Sequence, residues 1–181
     1  MEFLATKIAG AFAVRHDVRS DERGRFKRHY CEREFADAGL NTHWVQANHS
    51  VTLGRGSIRG MHFQRPPSAE AKLVSCPAGR AFDVAVDLRQ GSPTFLQWAS
   101  VEIDGATSFH IPEGCAHGFQ VLTDEVHLIY QHSAAYDPAA EGGVRFDDPA
   151  IGIVWPLPLG AVSDRDRSFP HIDSNFKGIA L

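Results

Sequence analysis

Residues 82–88 read FDVAVDL, and their alternation decides the fold class. Phe82, Val84, Val86 and Leu88 fall on one side, Asp83, Ala85 and Asp87 on the other. A side-chain period of two belongs to a β-strand, not a helix. Asp83 and Asp87 have solvent as their default environment. In a closed barrel, however, the polar face of some strands lines the lumen, where a site can be housed.

Similar short runs rich in Val, Ile, Phe, Leu and Tyr extend outward from this stretch, at 58–64, 71–76, 95–103, 108–111, 119–122 and 126–132. Turn formers separate them: Pro66-Pro67, 77–79, 91–93, Asp104-Gly105, 112–114 and Thr123-Asp124. Strands at a spacing of roughly ten residues indicate a sandwich, jelly roll or small barrel. The helical patterns of roughly 10–15 residues that would link parallel strands are missing, which argues against a doubly wound α/β sheet. Phe3, Leu4, Ile8, Phe12 and Val14 read as strands interrupted by Gly10, and CEREFADAGL (31–40) as a short helix ended by Gly39. The dense charge from Arg15 to Glu34 has the plain reading of a solvated loop. Beyond Asp147, the prolines up to Pro170 predict irregular coil and short helix folded back on the barrel.

A chain of 181 residues suits one domain, 1–181, able to bury about 70% of its extended surface without disulfides or a structural metal. Its formal net charge of -4 gives no general attraction for nucleic acid. Cys31, Cys76 and Cys115 are too few and too far apart for a disulfide framework. No apolar run reaches membrane-span length, and MEFLATKIAG lacks the pattern of a signal peptide. A cytosolic protein with reduced thiols is the expectation.

Individually, the polar residues are modest signals. His62 in IRGMHFQ and His117 in IPEGCAHGF have an ordinary structural reading, and Tyr130 and Tyr136 could be packing. Lys72 in AKLVSC is more telling, because an ammonium among apolar strand residues needs a wet cavity or an anion. A metal-binding barrel carries two histidines one residue apart, followed by a carboxylate and a later histidine. Here Gln64 stands where the second imidazole belongs, leaving His62, Glu70 and His117 as an incomplete set.

Taken together, QANHS, GSIRGMHFQ, AKLVSCPAGRAFDVAVDLRQGSPTF, IPEGCAHGFQVL, YQHSAAY, EGGVRFDDPAIGIVWP and SDRDR resemble the dTDP-4-dehydrorhamnose 3,5-epimerase family, in order and spacing, over most of the chain from Arg23 to Arg167. The resemblance implies a cupin-like double-stranded β-helix. It also implies epimerisation at C3, C5 or both of a nucleoside-diphosphate 4-keto-6-deoxy sugar, with no metal or other cofactor. Matched residue by residue, His62 is the general base, Asp166 the carboxylate that orients it, Lys72 the cation beside the keto oxygen, and Tyr136 the group on the opposite face of the sugar. Arg23 and Arg59 match the diphosphate-binding arginines, and Gln46 and Asn48 match nucleotide contacts. Phe26, Asp83, His117, Tyr130 and Glu141 match further pocket positions. The family's exchanged dimers imply a homodimer in which Arg23 reaches the partner's pocket, with no nucleic acid or membrane partner.

The chemistry fits these roles. A C4 ketone delocalises a carbanion at C3 or C5, so the reaction needs a base, an acid on the other face and a stabiliser for the enolate oxygen. Two features depart from the pattern or strain it. Arg28 stands where the family has an acid and Ala47 follows Gln46 without one, leaving another nucleotide, or a single-position epimerase, open. Arg59 and His62 would also point to opposite faces of a regular strand, so a bulge near Gly60 is required. A non-catalytic sugar-nucleotide-binding barrel is the alternative of another class; it predicts Tyr136 and Asp166 displaced from the His62 pocket.

Overall fold

The computed structural model describes residues 1–181. Strands β1 (Glu2–Ala5) and β2 (Phe12–Arg15) pair with each other, β3 (Val18–Asp21) and β4 (Gly24–Lys27) form a separate hairpin, and α1 (Glu32–Asp37) follows. Next come β5 (Gln46–Leu53), β6 (Ile58–Gln64), β7 (Lys72–Ala78), β8 (Ala81–Asp87) and β9 (Trp98–Ile103). The series closes with β10 (Thr107–Ile111), β11 (Cys115–Val121), β12 (Glu125–His132) and β13 (Glu141–Gly143), and α2 (Asp164–Ser168) lies in the tail. A six-stranded sheet, β1-β2-β10-β7-β12-β5, accompanies a five-stranded sheet, β13-β6-β11-β8-β9. This is the double-stranded β-helix expected. No helix is long and apolar enough to cross a membrane.

The two faces of β8 build two cores. Ala81 and Ala85 join Val74, Phe109, Phe119 and Leu128, drawn from both sheets, so this side faces the lumen. Val84, Val86 and Leu88 pack under Ile151 and Ile179 of the tail. Asp83 and Asp87 therefore point inward, and both are fully buried. They then divide. Asp87 is structural: burial pushes its carboxyl up, but hydrogen bonds from Arg89, Ser92 and Thr94 outweigh this and bring it down to about 2.

Two expectations need correction. The charged segment 15–34 is not a loop: it forms the β3–β4 hairpin and the first half of α1, with Gly24 at φ 137° supplying a turn conformation other residues resist. Its side chains are largely exposed, so the alternation that marks a half-buried strand is missing. The strand β5 was not foreseen either. QANHSVTL is mostly polar, and β5 lies at the open edge of its sheet.

The bulge near Gly60 is present. His117 pairs with His62 and Phe119 with Arg59, so three steps along β6 oppose two along β11. Gly60 has φ 129°, and a Cβ there would stand 2.5 Å from Gly118 Cα. The extra residue turns Arg59 and His62 onto one cavity.

Candidate active site

The lumen opens in a cavity of about 250 Å³ whose walls include His62, Lys72 and Tyr136. His62 Nε2 lies 2.7 Å from Asp166 Oδ1, and a carboxylate can only accept, so Nε2 carries the proton and Nδ1 is left as the basic nitrogen. Asp166 is itself fixed. Its Oδ2 accepts from Gly60 N at 3.1 Å, and its own N–H donates to Ser163, the N-cap of α2. Burial pushes the Asp166 carboxyl up, yet the hydrogen bonds from His62 and Gly60 prevail and hold it below the usual range. Phe169 packs its ring edge-on to His62, with centroids 5.9 Å apart.

Lys72 opens β7 and is almost wholly buried, its Nζ 3.1 Å from Glu70 Oε1. Tyr136 comes from the loop between β12 and β13. Its hydroxyl donates to Glu141 Oε2 at 2.8 Å and its N–H to Gln46 Oε1 at 3.0 Å. Glu141 in turn pairs with Arg165 at 2.6 Å. The hydrogen bond to Glu141 raises the Tyr136 phenol above its ordinary value, so the proton stays on its oxygen.

Arg59, Asn48, His117, Tyr130 and Glu141 also line the cavity. Asp83, expected as a pocket residue, lies beneath the wall and accepts from His117 Nε2 at 2.5 Å. Burial raises its carboxyl, against the pull of the adjacent imidazole. Gln46 acts through the backbone of Tyr136 and is not itself a wall residue. Arg23 and Phe26 stand apart: they belong to the β3–β4 hairpin, far exposed, with Arg23 bonded to Asp21. Within one chain they form no part of this cavity. Arg28, the charge reversal, is taken up locally by Glu34 at 2.9 Å.

Sequence reasoning missed His132 and Ser50 as wall residues, and considered Glu70 only as a metal ligand. The period of two from Tyr130 to His132 was the available signal. Gln64 spends its amide on Ser68, Ala135 and Asp137, and no group of three His, Cys, Asp or Glu side chains is arranged to hold a metal.

A base held in one tautomer, a protonated phenol and a buried ammonium around one small cavity suit proton transfer beside a carbonyl, so fold and site together define a barrel isomerase. Comparison with known proteins narrows this. Residues 5–174 match the family model described as dTDP-4-dehydrorhamnose 3,5-epimerase. A 3,5-epimerase of that name from Methanothermobacter thermautotrophicus is 40% identical, over 96% of this chain and 95% of the relative. A dTDP-4-dehydrorhamnose 3-epimerase from Streptomyces niveus is 41% identical, over 88% of this chain and 78% of the relative. Among solved structures, the 3,5-epimerase from Legionella pneumophila in complex with dTDP-4-keto-L-rhamnose has a TM-score of 0.91 at 34% identity, covering 99% of this chain and 98% of that one. The chain belongs to the dTDP-4-dehydrorhamnose 3,5-epimerase family. It is a sugar-nucleotide epimerase, inverting C3, C5 or both of a 4-keto-6-deoxy sugar by removing and returning a proton.

Proposed function

We propose that the cavity takes a dTDP-linked 4-keto-6-deoxy hexose and inverts both C3 and C5, with His62 as base, Lys72 on the enolate oxygen and Tyr136 as the acid across the ring. The observation that carries this reading is the convergence of those three side chains on one sugar-sized cavity, with Asp166 setting the base's tautomer. Lys72 lowers the barrier because its charge meets more negative charge on the enolate than on the ketone. Arg59 and, from a second copy, Arg23 grip the diphosphate, a task suited to planar multi-donor groups. Arg28 is bonded to Glu34 within its own chain, and the likeness to dTDP-sugar epimerases supports thymidine as the base.

Turnover in deuterated water tests the reading. Label at C3 and C5 is expected, and His62→Ala should abolish both while nucleotide affinity stays within a few-fold. Exchange at full rate in that variant would remove His62 from its role. Label at C3 alone would favour the single-position reading, for which the Streptomyces niveus 3-epimerase gives a specific ground.

A further inference from the structure

The Lys72 ammonium is gripped by groups with no part in the scheme above. Glu70, two residues earlier, places Oε1 3.1 Å from Nζ, and the backbone carbonyl of His62 accepts a longer bond of 3.5 Å. The second oxygen of Glu70 accepts from His132 Nδ1 at 2.7 Å. His132 stands opposite Lys72 in the β7–β12 ladder, and its ring stacks on Tyr130 with centroids 6.2 Å apart. The side chains of Lys72, Glu70 and His132 are only 8%, 8% and 12% exposed, and all three line the cavity. Burial pushes the Glu70 carboxyl up, but His132 and Lys72 hold it below the usual range, so it stays an anion.

An ammonium has three N–H directions on a flexible four-carbon stem. The His62 carbonyl takes one of them and the Glu70 carboxylate draws the ammonium by its charge, which together restrict where the remaining N–H can point. A catalytic charge depends on such placement, because its effect falls steeply as the reacting oxygen moves away. We propose that Glu70 and His132 are a positioning pair for Lys72: Glu70 grips the ammonium, His132 fixes Glu70, and the remaining N–H is thereby aimed at the substrate's carbonyl oxygen. The proposal rests on the reading of Lys72 as the enolate stabiliser.

The test compares Glu70→Ala, Glu70→Gln, Lys72→Ala and the Glu70→Ala/Lys72→Ala double variant by kcat, KM and solvent exchange. Glu70→Ala should lower kcat about 10- to 100-fold with KM within about two-fold of the parent. Glu70→Gln keeps an acceptor oxygen and should lose only a few-fold. In the Lys72→Ala background, Glu70→Ala should change nothing further, because a residue acting through another has no effect once that other is gone. If Glu70→Ala does not fold, Glu70→Gln read in both backgrounds reports the same coupling. Losses that multiply in the double variant, or an unimpaired Glu70→Ala, would overturn the pair alone. A Lys72→Ala enzyme at full rate would overturn the enolate reading and the pair with it.

Discussion

Tyr136 bonds its phenol to Glu141, and that contact both holds and restrains the group proposed as the acid. The neighbouring carboxylate keeps the phenol protonated, while Arg165 offsets part of the repulsion that a phenolate would meet there. Base and acid should therefore separate in a Tyr136→Phe variant. His62 is partly open to solvent, so a proton it removes can be exchanged and returned to the same face of the sugar. Deuterium uptake is expected to persist within about ten-fold of the parent, while inverted product falls by about 100-fold or more, the usual scale of a lost general acid. Mass spectrometry and chiral product analysis of one reaction separate the two, and equal losses would refute the assignment. The residues proposed as base and acid could be picked out in the sequence because the family motifs stand intact around His62, Asp166 and Tyr136. Glu70 and His132 were obscured: Glu70 precedes its strand by two residues, and only register across the sheet brings His132 opposite Lys72.

At the level of the elements, β6 carries the site because it is irregular. One extra residue at Gly60 puts Arg59 and His62 on a common side, and Gly60 N also holds Asp166. Gly60→Ala would place a methyl against Gly118 Cα and the His117 carbonyl, in a backbone conformation L-residues resist. A destabilisation on the order of 3 kcal/mol is expected, read from the urea midpoint. The folded fraction should also lose kcat, since relief of the clash must shift His62 relative to Asp166. A variant with unchanged stability and rate would mean that the bulge does not place the base. The need for this bulge could be read in advance from the parity of positions 59 and 62, and β8 from its alternation. The β3–β4 hairpin and β5 could not be read that way. Their polar, exposed side chains are held by backbone pairing that leaves no hydrophobic period.

For the whole molecule, Arg23 and Phe26 are proposed site residues that lie away from the cavity. Arg23 is 83% exposed and Phe26 73% exposed on a hairpin outside both large sheets, and neither reaches the chain's own cavity. The free edge of β5 leaves Val51 and Leu53 substantially exposed, as an apolar contact face would be. In a two-fold dimer with exchanged hairpins, each site would combine His62 of one chain with Arg23 of the other. That arrangement has a consequence no monomer shares. On the proposed roles His62→Ala lacks the base and Arg23→Ala lacks a diphosphate grip, so each alone should be severely impaired. When they are co-expressed, half the dimers pair the two variants. In such a dimer, one cavity joins an intact His62 to the intact Arg23 of its companion. Random pairing then restores about a quarter of parental activity per subunit, because one of two sites in half of the dimers is whole. If Arg23 served its own chain, every cavity in the mixture would carry a lesion and no activity above the parents' would return. Purifying the mixed dimer through a different tag on each variant separates failure to pair from failure to complement, and a mixed dimer without recovered activity would place Arg23 outside the partner's site.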